Sequence, residues 1–289
     1  YWCDGRHGHE FLDEKGRVLS KGKAARIFSC RPDGSDVRWH AGGGMDNPVE
    51  VDFLPEGPTL GVVNLFYPKP GDCLVHWLHG GVYPREDMPV QIAEFKRTGD
   101  LLGPVHDFGH VAVAGCLRYQ SRSLGEDFEG NWFVCEFNTH KVARVRLMPS
   151  GSSYVASSED FLTSSDPDFH PTDVIEDADG SLIVVDTGGW FRNGCPTSQL
   201  AKPDITGGLY RIRRANAPLV RDPRGQAIAW DTASDHQLTG YLSDQRFAVR
   251  EKAKDWLARR MAEAKGESPT ARHLLSTWEQ ATTLQRREI

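Results

Sequence analysis

His170-Pro171-Thr172-Asp173-Val174, then Asp179-Gly180, then Leu182-Ile183-Val184-Val185-Asp186 is the stretch that decides how the chain is read. A proline-led segment places a carboxylate before a valine, reaches an acidic-glycine turn ten residues after its start, and continues into a β-branched run. That order reads as strand, tight turn, strand. The same pattern stands at Asn47-Pro48-Val49-Glu50-Val51, Glu56-Gly57 and Gly61-Val62-Val63-Asn64. A looser copy runs from Val113-Ala114-Gly115-Cys116-Leu117 to Gly130-Asn131-Trp132-Phe133-Val134-Cys135-Glu136.

An alternating strand follows each pair, as in Arg144-Val145-Arg146-Leu147, Arg211-Ile212-Arg213, Arg26-Ile27-Phe28 and, less cleanly, Cys73-Leu74-Val75-His76-Trp77. The anchors Ile27, Val75, Val145 and Ile212 lie 48, 70 and 67 residues apart. Repeats of that length, each with four short antiparallel strands, are the blades of a β-propeller. The expected class is all-β: a partial propeller of about three to four blades over residues 1–220, its N-terminal blades missing, because closed rings have roughly four to eight. An open antiparallel sandwich is the competing reading. From residue 236 to 289 the pattern turns helical. Leu238, Tyr241, Leu242, Val249, Ala253, Trp256 and Leu257 form one stripe. Ser268-Pro269 caps a second helix carrying Leu274, Leu275, Trp278, Ala281 and Leu284. Two antiparallel helices suit one unit of an α-solenoid, or a helical cap on the propeller.

Composition narrows the function. The 289 residues are 39% hydrophobic and 26% charged with net charge -6, so the basic footprint of a nucleic-acid binder is missing. No apolar run reaches the roughly 18 residues of a membrane-spanning helix. The six cysteines form no CxxC pair, which removes support for a zinc ribbon, a thioredoxin motif or c-type haem attachment. Buried free thiols are expected, with one or two disulfides as the alternative in an exported protein. The chain begins at Tyr1 rather than at a methionine and reads as truncated.

His170-Pro171-Thr172-Asp173-Val174, Asp186-Thr187-Gly188-Gly189-Trp190-Phe191 and Gly194-Cys195-Pro196-Thr197-Ser198-Gln199 resemble the propeller of PVC-type membrane-bound dehydrogenase-like proteins. Gly42-Gly43-Gly44-Met45-Asp46-Asn47-Pro48-Val49-Glu50 and Glu136-Phe137-Asn138-Thr139-His140 fit the same resemblance, which runs over about residues 5–215. It implies a fold similar to glucose/sorbosone dehydrogenases, whose relatives use pyrroloquinoline quinone and calcium. It also implies HEAT-like repeats after the propeller, which Ser243-Asp244-Gln245-Arg246-Phe247-Ala248-Val249-Arg250 resembles. A c-type cytochrome domain outside this chain and a place in the periplasm or cell envelope are implied as well. The haem motif CxxCH does not occur here.

Loops on one face of a propeller surround its central channel, and they select the candidates. Loops leading into the inner strands offer Asp46, Asn47, His106, His110, Asp168 and His170; the next set offers Asn64, Tyr67, Asn138, His140 and the stretch from Thr187 to Gly207. Glu50, Asp173 and Asp186 are the candidate metal ligands, since converging oxygens suit calcium. The competing reading has Glu50 and Asp173 bonding backbone amides of a neighbouring blade. His170 is the first choice for a base that takes a sugar hydroxyl proton and His140 the second, unless His140 is only a polar turn residue. Trp190 could stack on a sugar or a planar cofactor, and Arg192 and Lys202 could meet the carboxylates of the implied quinone. Asn138 completes the cofactor candidates.

Three functions stay open. One is an exported quinoprotein-like dehydrogenase acting on a sugar or polyol. The second is a calcium-dependent propeller hydrolase of lactonase type. The third is a propeller and solenoid that binds glycans or proteins without catalysis. A site at a propeller centre draws on every blade, so the 289-residue chain alone is expected to be inactive.

Overall fold

The structure is a computed structural model and describes residues 1–41, 43–66, 71–83, 88–189, 202–264 and 267–278. The chain is mostly β, arranged as successive small antiparallel sheets. The first sheet holds β1 (Trp2–Asp4), β4 (Arg26–Ser29) and β5 (Arg38–Ala41) in that order, with the hairpin of β2 (His9–Leu12) and β3 (Val18–Gly22) between β1 and β4 in sequence. The second sheet is four-stranded: β6 (Asn47–Phe53), β7 (Thr59–Phe66), β8 (Gly71–Trp77) and, beyond the short helix α1 (Pro89–Ile92), β9 (His106–Asp107). The third, also of four, is β10 (Val113–Arg118), β11 (Trp132–Glu136), β12 (Lys141–Ser150) and β13 (Ser153–Thr163). The last is β14 (Pro171–Glu176), β15 (Leu182–Asp186) and β16 (Gly208–Ile212). Of the four spacing anchors, Val75, Val145 and Ile212 fall in the third strand of their sheets, whereas Ile27 falls in β4, the middle strand of the first.

β8 and β11 are buried on both faces and β7 nearly so, and alternation in β7 and β8 sorts their residues between two cores. From β7 and β8, Val63, Cys73 and Val75 pack with Ile27 and Met45. Leu60, Val62 and Leu74 point the other way and pack with Val113, Cys116, Trp132 and Val145 of the third sheet. A period of two therefore serves two interfaces at once. β1, β6 and β10 stand side by side. At Gly115 the next strand comes so close that a Cβ would lie 2.5 Å from Asp173 Oδ1, so only glycine fits. This propeller-like arrangement leaves the inner edge of β10 without a strand partner. Carboxylates of β6 take its place: Glu50 Oε2 accepts from Cys116 N at 2.7 Å and Asp52 Oδ2 from Arg118 N at 2.7 Å.

Two compact units divide the chain. One holds Tyr1–Arg118, Gly130–Ile175 and Val184–Tyr210, and the other Tyr119–Glu129, Glu176–Ile183 and the residues from Arg211 onward. The second unit contains α2 (Asp235–Tyr241), α3 (Phe247–Glu263) and α4 (Pro269–Thr277). Ser234 caps α2 through a reciprocal box with Gln237, and Ser268 with Pro269 opens α4. The first apolar stripe makes two helices where one was expected. Asp244 Oδ1 accepts from Arg246 N at 2.8 Å, a local turn that competes with the helix. Leu238, Leu242, Val249, Ala253, Leu257 and Leu274 still share one core with Trp230.

Candidate functional site

His140 and His170 come together on the first unit. His140 follows a single helical turn, Phe137–Thr139, and takes a left-handed backbone with φ 58°. His170 precedes Pro171, which holds it extended at the mouth of β14. Their ring centroids lie 5.4 Å apart, and Phe137 stacks on His170 at 4.4 Å. His140 Nδ1 meets Phe169 O at 2.7 Å, and His170 Nδ1 meets Gly188 O at 2.8 Å. A carbonyl can only accept, so each Nδ1 carries a hydrogen and each neutral ring keeps its lone pair on Nε2.

Carboxylates fix this geometry through the backbone. Asp186 Oδ1, at the end of β15, accepts from His170 N and from Gly188 N, each at 2.8 Å. The bond sets both the His170 backbone and the carbonyl that orients its ring. Asp72, buried in β8, acts from further away. Its Oδ2 accepts from Val111 N at 2.9 Å and Ala112 N at 2.6 Å, and its Oδ1 from Leu65 N at 3.0 Å. The carbonyls of Ala112 and Val111 then accept from Phe137 N at 3.1 Å and Asn138 N at 2.9 Å. A run of hydrogen bonds thus joins Asp72 to the ring that stacks on His170.

Polar groups surround the pair. Asn138 Oδ1 is buried without a hydrogen-bond partner among the described residues, an acceptor that a ligand hydroxyl would satisfy. Lys202 Nζ pairs with Asp168 Oδ1, and Lys202 N donates to Gly189 O at 2.6 Å. Glu136 Oε2 accepts from Thr139 Oγ1 at 2.7 Å.

The three carboxylates expected to hold calcium are placed differently. Glu50 is bound to the Cys116 amide, and burial pushes its carboxyl up to about 7. Asp173 Oδ1 accepts from Val174 N at 2.7 Å, and burial raises its carboxyl too. Asp186 holds the two amides beside His170. Among the described residues no group of three or more His, Cys, Asp or Glu side chains could hold a metal ion, so these three do not form a ready ligand set. Trp190 and Arg192, like Tyr67 and Cys195, lie outside the described residues. His106 has both ring nitrogens engaged, with Ala156 O at 3.2 Å and Ser158 Oγ at 2.9 Å. Cys73, Cys116 and Cys135 are buried free thiols whose ionisation burial suppresses. Sequence reasoning did not find Asp72 or the stacking role of Phe137. Their partners are backbone groups and a ring distant in sequence, and no spacing marks them.

A family described as "Domain of unknown function (DUF7133)" matches residues 85–195. No curated protein matches the chain. Solved structures similar to it include an oxidoreductase (glucose dehydrogenase) from Thermus thermophilus, at 16% identity and TM-score 0.42, covering 63% of this chain and 49% of that one. A glucose dehydrogenase is 15% identical over 73% of this chain and 65% of its own, with TM-score 0.45. The PQQ-bound form of an aldose sugar dehydrogenase from Streptomyces coelicolor is 14% identical, with 70% of each chain covered and TM-score 0.42. The chain spans about half the length of the first two solved structures it matches.

Proposed function

We propose that this chain is part of a sugar or polyol dehydrogenase of quinoprotein type, in which His170 takes the proton of the substrate hydroxyl. The observation that carries the reading is the paired imidazoles. Both are tied through Nδ1 to backbone carbonyls, so both present Nε2 as an acceptor. Phe137 and Asp186 limit the motion of His170, which is what a base needs in order to meet one hydroxyl in one orientation. His140 stands close enough to orient a neighbouring hydroxyl or to receive the proton next.

The chemistry divides between two acceptors. A bound quinone would take the hydride from the alcohol carbon, leaving a carbonyl. His170 Nε2 takes the hydroxyl proton, so the O–H and C–H bonds break and one C=O bond forms. Lys202, held by Asp168, would meet a carboxylate of the quinone, and Asn138 Oδ1 would accept from a hydroxyl of the ligand. Glu50, Asp173 and Asp186 each accept from backbone amides, and among the described residues they belong to no group of three that could hold calcium.

Calorimetric titration with pyrroloquinoline quinone, followed by an aldose, tests the reading. The quinone is expected to bind. Lys202→Ala should weaken it about tenfold or more, the loss of one charge-assisted contact. His170→Gln should leave quinone binding unchanged and weaken the aldose. Absence of quinone binding would overturn the proposal and favour a propeller that recognises glycans without catalysis.

A further inference from the structure

The second unit carries a cavity of about 670 Å³ that has no part in the histidine site. That volume lies within the range of small-molecule sites, roughly 300–1,000 Å³. Its floor is apolar, formed by the run from Ala217 to Val220. Leu219 is 82% exposed, the most exposed large apolar side chain among the described residues. A smaller annex of about 50 Å³ shares this wall and continues toward Ser181.

The charges around the cavity do not balance. Four arginines line it against two aspartates. Arg122 is already paired with Glu129 and Arg246 with Asp244. Asp179 is held by Arg213, which follows the end of β16. Arg214 and Arg221 have no acidic partner and no side-chain hydrogen bond among the described residues. The hydroxyls do not compensate, because Ser123 Oγ donates to Asp179 O and Ser243 Oγ to Gly240 O. The cavity therefore offers two unused guanidinium forks above an apolar floor. Asp222 fixes the rim beside Arg221. It holds a left-handed backbone at φ 45°, its carboxylate accepts from Gln226 N and Ala227 N, and its carbonyl accepts from Arg246 Nη1.

We infer that this cavity binds a small amphipathic oxyanion, a carboxylate or phosphate on an apolar body, with Arg214 and Arg221 gripping the anion and Leu219 and Val220 covering the apolar part. Guanidinium forks match carboxylate and phosphate oxygens two bonds at a time, which sets the ligand class. The size of the cavity sets the ligand as a small molecule. The inference is independent of the dehydrogenase reading, since no residue of the histidine pair lines the cavity.

Calorimetry on the whole chain with octanoate, acetate, 1-octanol and octyltrimethylammonium as probes tests it, with octyl phosphate distinguishing the two kinds of oxyanion. Octanoate or octyl phosphate is expected to bind at one site in the millimolar range or tighter, while the alcohol and the cation bind at least tenfold more weakly. Acetate should also be weaker, for lack of the apolar part. The double variant R214Q/R221Q should lose the oxyanion at least tenfold with an unchanged melting temperature, since both side chains are exposed. R214K/R221K should recover part of the affinity. Equal binding of the cation, equal binding of acetate, full affinity in R214Q/R221Q, or no binding of either anionic probe at millimolar concentration would each overturn the inference.

Discussion

Two backbone carbonyls decide what His140 and His170 can do. Phe169 O and Gly188 O each hold an Nδ1–H, and the chemistry is left to Nε2. Both histidines were legible as candidates, because they sit beside the ends of repeated strands. Their tautomers were not, because the carbonyl partners lie 29 and 18 residues away. Glu50 differs. Its repeat position with Asp173 left two readings open, a metal ligand or a carboxylate bonding amides of a neighbouring blade, and its oxygen accepts from the Cys116 amide 66 residues on. Burial raises the Glu50 and Glu176 carboxyls to about 7, from an ordinary value of 4.5. The folded state thus holds these protons more tightly than the unfolded chain. The stability they confer is full below about pH 4.5 and is lost as pH rises through 7. Urea midpoints should fall between pH 5 and pH 8. Glu50→Gln, whose amide oxygen still accepts from Cys116 N, should flatten that fall and be more stable than the native chain at the alkaline end. An identical pH dependence in native and variant proteins would remove Glu50 as the cause.

At the scale of elements, strand pairs were readable at the acidic-glycine turns Glu56-Gly57 and Asp179-Gly180, whereas the β2–β3 and β12–β13 pairs were not read. The helical stripe was readable as a face and not as a count. The Asp244–Arg246 turn ends one helix and starts another without breaking the apolar period. Asp72 shows what no pattern reveals. One carboxylate on β8 ties Leu65, Val111 and Ala112, and Leu65 and Ala112 both hold left-handed backbones that non-glycine residues disfavour. Asp72→Ala strands three amides and should cost on the order of 3 kcal/mol or more of unfolding free energy, read from denaturant curves. Asp72→Asn retains one acceptor oxygen and should lose less. Because Asp72 acts through Phe137 and Asn138, its Asn variant should lower aldose oxidation while leaving the pH profile of the rate unchanged. Ser234→Ala removes the α2 cap and should cost about 1 kcal/mol in the helical unit alone.

Across the whole molecule, small sheets face each other through cores shared by alternating residues, and carboxylates close the inner strand edge that has no strand beside it. His140 and His170 belong to the first unit. The anion cavity belongs wholly to the second unit, so loss of one site should spare the other. Dye-linked oxidation of aldoses by the native full-length protein loaded with pyrroloquinoline quinone, measured for the unaltered protein, His170→Gln and His140→Gln, tests the central claim most directly. His170→Gln is expected to lower kcat/KM by roughly 10²–10⁴, with a smaller loss in His140→Gln. Unchanged kcat/KM in His170→Gln would contradict the account.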